Sequence, residues 1–197
     1  MRLCLQDLCS GLATFLRLDP ELAPRTGVGH LSTCHFAQSG TGAAEFAQLN
    51  DFGLAVRVLD GPAGQASGFK MCYGALTKGL TALGTELLVA ARALGLEETL
   101  RAEQEESIPD VLAWLAKTVP TMPPKAYRWV GEMEEIAATF ADLGMTPDIL
   151  QGAAEMYRFI AETPIGKESP ENRDKGRGLY GVVSALADAL PERAVTA

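Results

Sequence analysis

The chain has 197 residues, 47% of them hydrophobic, which is enough for one domain with a sizeable core, or a domain with a short attached segment. A formal net charge of -8, with no cluster of Lys and Arg to neutralise phosphates, argues against nucleic-acid binding. No apolar run reaches the roughly 18 to 20 residues of a membrane span.

Asp7 interrupts the apolar opening, so a secretory leader is not expected. The four cysteines, Cys4, Cys9, Cys34 and Cys72, show no CxxC spacing and read as reduced thiols of a soluble cytoplasmic protein. His30, Cys34 and His35 match no standard zinc spacing and lack a fourth ligand, so no metal is expected.

Residues 1 to about 38 are the least coherent stretch. Met1 to Leu18 is compatible with a short amphipathic helix that Asp19-Pro20 stops, and Pro24 to Gly29 reads as loop. Leu31 to Ala37 has the composition of a short strand, and Ser39-Gly40-Thr41-Gly42 that of a turn. Ala43 to Asp51 then reads as a helix with Phe46 and Leu49 inside, closed by Phe52-Gly53. Leu54 to Leu59 is the clearest strand, rich in β-branched residues and ended by Asp60-Gly61-Pro62. Strand, helix, strand at this spacing looks like the edge of an α/β sheet.

From Gly64 the pattern is helical. Leu, Ala and Met recur at helical spacing without a proline as far as Leu94, predicting one long helix that Gly95-Leu96 caps. Glu97 to Glu106 is a short acidic helix. Ser107-Ile-Pro-Asp110 opens the next, with Ser107 as the expected N-cap and the proline tolerated in the first turn.

Pro123-Pro124 starts a helix in which Tyr127, Val130, Met133, Ile136, Ala137 and Phe140 fall at steps of three and four, stopped by Gly144. Thr146-Pro147-Asp148 caps another through Ile160, carrying Ile149, Leu150, Ala153, Met156 and Tyr157. A polar segment, Pro164 to Gly178, leads to the last helix, Leu179 to Leu190. The expected fold is mainly α: residues 1–60 the remnant or edge of an α/β domain, residues 61–197 an all-helical domain.

Three blocks carry a resemblance: Gly64-Gln-Ala-Ser-Gly-Phe-Lys70-Met-Cys-Tyr73-Gly74-Ala-Leu-Thr77-Lys78, then Arg128-Trp129-Val-Gly-Glu132-Met-Glu134, then Gly152-Ala-Ala-Glu155-Met-Tyr157-Arg158. Together they resemble the C-terminal helical domain of the 6-phosphogluconate dehydrogenase and 3-hydroxyacid dehydrogenase superfamily, and most of all its putative phosphogluconate dehydrogenase subgroup. The resemblance implies an NAD(P)-dependent enzyme acting on a small hydroxyacid or sugar acid, with a substrate-binding and dimerisation domain and a homodimer as partner state. It places Lys70 as the proton-transfer residue. Tyr73, Thr77, Lys78 and Arg128 become substrate-binding candidates.

A partly desolvated lysine suits that role, because a hydride leaves a carbinol carbon more readily as the hydroxyl proton is taken. Two positions depart from the superfamily pattern. Gly74 stands where the hydroxyacid dehydrogenases place an asparagine, and Thr77 where the 6-phosphogluconate enzyme has a glutamate. The dinucleotide fingerprint is also missing: Thr26-Gly27-Val28-Gly29-His30 lacks the third glycine, the strand before and the helix after.

A Rossmann domain on a separate chain, or a longer natural start, would reconcile that gap with the retained Lys70 block. A non-catalytic relative, keeping the helical domain as an oligomerisation or binding module, is the other reading. For individual residues, bland readings stand beside these. Lys78 reads more readily as a surface or snorkelling lysine than as a substrate contact, Trp129 as a core anchor with Arg128 paired to a glutamate, and Gly74, Gly79 and Gly84 as points of close helix packing. The basic residues Lys167, Arg173, Lys175 and Arg177 read as part of a solvated loop of mixed charge.

Overall fold

The computed structural model describes residues 35–52 and 55–191. The expected helix at Met1 to Leu18, the loop at Pro24 to Gly29, and His30 and Cys34 lie outside the described residues. The chain divides into two compact units between Tyr73 and Gly74.

In the first unit, β1 (His35–Gln38) and β2 (Ala55–Val58) pair in parallel with His35 opposite Ala55. Between them run α1 (Ala43–Phe46) and a 3-10 segment (Ala47–Phe52), where one longer helix was expected; Phe46 and Leu49 are only half-buried. A parallel pair needs such a crossover, since a tight turn cannot return the chain in the same direction.

The Leu59 amide donates to the Gln38 carbonyl at 2.7 Å, so Leu59 and Arg57 direct their peptide groups toward β1 and Val56 directs its own outward. That outward edge is filled by one side chain. Asn50 donates from Nδ2 to the Val56 carbonyl at 3.2 Å and accepts the Val56 amide on Oδ1 at 2.5 Å, as a neighbouring strand would.

α2 spans Gln65–Ala93, close to the expected Gly64 to Leu94. Its first amides need partners from outside the helix. Ser39 Oγ accepts the Ala66 amide at 3.0 Å, which ties the residue after β1 to the first turn of α2. Ala66 is buried against Ala37, with Leu59 packed beside them.

At the other end, Gly95 with φ of 73° donates to the Arg92 carbonyl while Leu96 donates to Ala91, the paired bonds of a Schellman motif. The same pair recurs after α5: Gly144 donates to Ala141 and Met145 to Phe140.

The second unit is helical. After the part of α2 from Gly74 come α3 (Glu97–Ser107), α4 (Pro109–Thr118), 3-10 turns at Val119–Thr121 and Pro123–Lys125, α5 (Ala126–Asp142), α6 (Asp148–Glu162), a 3-10 turn at Ile165–Lys167, and α7 (Leu179–Asp188). α5 and α6, joined by a five-residue turn, form an αα-hairpin. The mainly α class expected from the sequence is the observed one.

Three local readings need correction. Ser107 closes α3, its hydroxyl donating to the Glu103 carbonyl, and Ile108 takes the N-cap place of α4 without a side-chain bond. Tyr127 and Ile149 fit the apolar spacing of their helices but are exposed, at 64% and 76%. Both sit within the first two residues of a helix, where the packed stripe has not yet begun. The buried positions are Met133, Ile136 and Ala137 on α5, and Leu150, Ala153, Tyr157 and Ile160 on α6.

The glycines of α2 are contact points, as read from the sequence. A Cβ at Gly74 would lie 3.1 Å from Ile136 Cδ1, one at Gly79 an ordinary 3.8 Å from Leu150 Cδ2, and one at Gly84 would overlap the Leu115 side chain. Leu115 is 1% exposed and has nowhere to go. Alanine at 84 would gain about 1 kcal/mol of helix propensity and lose about 1 to 3 kcal/mol to overpacking, so the loss wins. Thermal unfolding is expected to show Gly84→Ala less stable than the parent by about 1 kcal/mol, and Gly79→Ala equal to it or more stable.

Candidate functional site

Lys70 is the sixth residue of α2 and is half-buried. It follows Ala66 by four positions, so it lies on the same helical face about 6 Å further along the axis. That face meets the end of β1 through the bond from the Ala66 amide to Ser39. Within the first unit, then, Lys70 stands one turn beyond the point where β1 runs into the α2 N-terminus. Tyr73 is half-buried, its ring stacked with Phe69 at 6.3 Å.

The second unit holds a separate constellation around Lys78. Its ammonium pairs with the Glu132 carboxylate and lies 5.6 Å from the centre of the Trp129 ring. Trp129 and Glu132 are three apart on α5 and so share a face, which lets one lysine meet both. Trp129 in turn sits edge-on to Tyr157 of α6 at 5.2 Å. The Tyr157 hydroxyl donates to the Lys78 carbonyl at 2.5 Å, which closes the circuit through α2, α5 and α6.

Of its members, Tyr157 is the most enclosed, at 0% exposed. Burial pushes its hydroxyl well above the ordinary tyrosine range, and the Thr81 hydroxyl beside it acts in the opposite sense. The Lys78 and Glu132 side chains keep 21% and 39% of their surface, so their attraction is partly screened and contributes about 1 kcal/mol or less. Packing of the Tyr157 ring outweighs it, since removing a buried aromatic costs about 3 to 5 kcal/mol.

The structure gathers the sequence candidates only in part. Thr77 is half-buried, and its carbonyl accepts the Thr81 hydroxyl at 2.8 Å. Arg128 is exposed and lies 5.9 Å from the Tyr127 ring, while the α5 side chains that meet Lys78 are Trp129 and Glu132. Glu132 was the missing member. Its three-residue spacing from Trp129 was visible, but the lysine that joins them comes from 54 positions away.

In the polar segment, Arg177 is clamped by both oxygens of Glu168 at 3.0 and 2.8 Å, which holds its guanidinium above the usual arginine value. Lys167 lies 3.4 Å from Glu162. Among the described residues, no group of three or more His, Cys, Asp or Glu is placed to hold a metal, and no helix is long and apolar enough to cross a membrane.

Residues 91–160 match the family DUF1932, described as a domain of unknown function. Two solved structures are similar. A conserved hypothetical protein from Sinorhizobium meliloti 1021 is 26% identical with a TM-score of 0.64, over 80% of this chain and 52% of its own. The conserved protein MTH1747, of unknown function, whose structure is described as similar to 3-hydroxyacid dehydrogenases, is 28% identical with a TM-score of 0.57, over 66% of this chain and 50% of its own.

These findings support the superfamily assignment. No curated protein matches the chain. It spans about half the length of the solved structures it matches. The DUF1932 match contains Trp129, Glu132 and Tyr157, whereas Lys70 and Lys78 precede it.

The Tyr157 latch has a consequence for pH. Its folded value lies above its unfolded one, near 10, so the native state keeps a proton that the unfolded chain gives up. Stability from this group is complete below about pH 10 and falls as the pH rises beyond it. Chemical denaturation from pH 8 to 11 is expected to show that decline, with a shallower slope for Tyr157→Phe. At pH 8 the same variant is expected to be less stable by about 1 kcal/mol, the worth of one hydrogen bond.

Proposed function

We propose that this chain provides the helical substrate-binding and dimerisation domain of an NAD(P)-dependent dehydrogenase acting on a hydroxyacid or sugar acid, with Lys70 as the proton-transfer residue. One observation carries the reading: Lys70 stands one helical turn beyond Ala66, on the face bonded to Ser39 where β1 ends. The crevice beyond the carboxyl ends of parallel strands is where α/β folds bind their ligands. The similarity to a protein described as resembling 3-hydroxyacid dehydrogenases supports the same chemistry.

In this role the Lys70 amine takes the proton of the substrate hydroxyl during oxidation and returns it during reduction. Gly74, where relatives place an asparagine, is occupied in packing near Ile136 and offers no polar group. Beside Lys70 in the first unit, Tyr73 is the substrate-binding candidate. In the second unit, Thr77, Lys78, whose ammonium pairs with Glu132, and Arg128 on the outer side of α5 are the further substrate-binding candidates.

The described residues do not fit a dinucleotide. The turn after β1 leads into a helix of only four residues carrying Glu45. Its amides are already engaged: Gly40 donates to Gly61, Ala43 to Gly40 and Glu45 to Gly42. The redox partner would therefore be held by a Rossmann domain, on a separate chain or in further sequence. That misfit also favours a second reading, a non-catalytic module that keeps the helical domain for oligomerisation or binding.

A pair of titrations separates the two. NADH or NADPH added to the chain alone is expected to give no saturable micromolar fluorescence change. A panel of 3-hydroxyacids and sugar acids, followed by NMR, is expected to shift amides in the first turns of α2, and Lys70→Ala to weaken that response at least tenfold. If no acid shifts these amides up to millimolar concentration, the dehydrogenase reading falls and the non-catalytic module stands.

A further inference from the structure

Two contacts other than Glu132 hold Lys78 in place. The Tyr157 hydroxyl donates to the Lys78 carbonyl at 2.5 Å and fixes the backbone from which the side chain leaves α2. The Trp129 ring then meets the ammonium at 5.6 Å from its centre, and is itself set edge-on against the enclosed Tyr157. A ring face attracts a cation without help from a carboxylate. Lys78 therefore keeps its place over Trp129 when Glu132 turns away.

Glu132 is free to turn. Its side chain keeps 39% of its surface, so it can rotate outward and find water in place of the lysine. Trp129 stays behind, because it packs on Tyr157 whatever its neighbour on α5 does.

The vacated place suits a second carboxylate. An ammonium has three N–H groups. Glu132 accepts from one, and among the described residues no other side chain or carbonyl is bonded to it. The Tyr157 hydroxyl, spent on the Lys78 carbonyl, does not compete for an arriving anion. A ligand carboxylate in this position meets the same charge and the same ring that Glu132 meets, and exchanging one carboxylate for another leaves the charge balance as it was. The chain as a whole, at -8, repels anions, so an acid depends on a local cation of this kind.

A neutral ligand gains nothing by the exchange. Displacing Glu132 without supplying a negative charge leaves the Lys78 side chain, with 21% of its surface in solvent, stripped of its counter-charge. Discrimination of this sort comes from what the wrong ligand fails to replace.

We infer that Glu132 is a specificity gate over Lys78: its carboxylate stands where the carboxylate of a hydroxyacid or sugar acid binds. It yields to a ligand that brings its own negative charge, and it lowers the affinity of every such ligand by competing for the same ammonium. This deepens the function proposed above, since it rests on Lys78 as a substrate contact, and it concerns the second unit alone.

Titration of 3-hydroxybutyrate and of gluconate into the isotope-labelled chain at constant ionic strength tests it. The NMR signal of the Trp129 indole N–H is the reporter, and far-UV circular dichroism controls for folding. Glu132→Gln keeps the size of the side chain and removes its charge. It is expected to bind both acids about fivefold more tightly than the parent, the ratio that a screened pair of about 1 kcal/mol corresponds to. Adding Lys78→Ala to Glu132→Gln is expected to cancel the gain. The uncharged analogue 3-hydroxybutyramide is expected to move the signal in neither protein.

A merely structural Glu132 gives the opposite sign, weaker binding in Glu132→Gln. That result, or equal affinities in parent and variant, overturns the gate and leaves the proposed function standing. A gain that persists in the double variant, or that extends to the amide, overturns it as well. If neither acid moves the Trp129 signal in either protein, the gate and the substrate role of Lys78 fall together, while the amides in the first turns of α2 still read the role of Lys70 separately.

Discussion

The helical unit depends on how closely its longest helix can be approached. At Gly84 the missing Cβ leaves room for a fully enclosed Leu115, and at Gly74 and Gly79 the ends of Ile136 and Leu150 come into contact range. Van der Waals attraction falls steeply with separation, so a helix held even an ångström further out would forfeit much of its contact along the line. The carbonyl of Lys78, between two of these glycines, can be reached by a tyrosine of α6 only because the backbones lie so near. The ion pair and the ring contacts at Lys78 follow from that proximity and do not create it.

The residues drawn together there are unequal in what they hold. Tyr157 is enclosed and bonded, and its loss would open a void; Lys78 and Glu132 reach solvent, and water would replace much of their attraction. This ordering bears on which members can tolerate a change of role. A lysine at the rim, over an aromatic ring and beside a carboxylate, reaches solvent without being locked into the core. The enclosed tyrosine is framework.

Much of this was legible in the residues. The span of α2 was readable to within a residue or two because it is set by local rules: no proline, unbroken periodicity, and Gly95 at the one place where a left-handed backbone is required. β2 was readable from its branched residues. What sequence alone could not supply was every partner from far along the chain. Ser39 caps a helix 27 positions later, so no cap signal precedes α2 locally. Ser107 has the right type for an N-cap but bonds backward to Glu103, because Pro109 already fixes the start of α4. Tyr127 and Ile149 keep the spacing of a buried stripe in turns that have nothing packed above them. Lys70 becomes a candidate only through resemblance, since a lone lysine in an early helical turn has no local signature of chemistry.

The side chain of Asn50 gives the small sheet a direction of growth. By satisfying both the amide and the carbonyl of Val56, it closes that flank to any incoming strand, which would have to displace two hydrogen bonds to join. The flank of β1 is the other side on which a strand could add. A larger sheet built onto this unit, from the same polypeptide or another, would therefore extend past β1 and leave β2 as its terminal strand. The start of α2, and Lys70 with it, would then stand at the rim of the enlarged sheet.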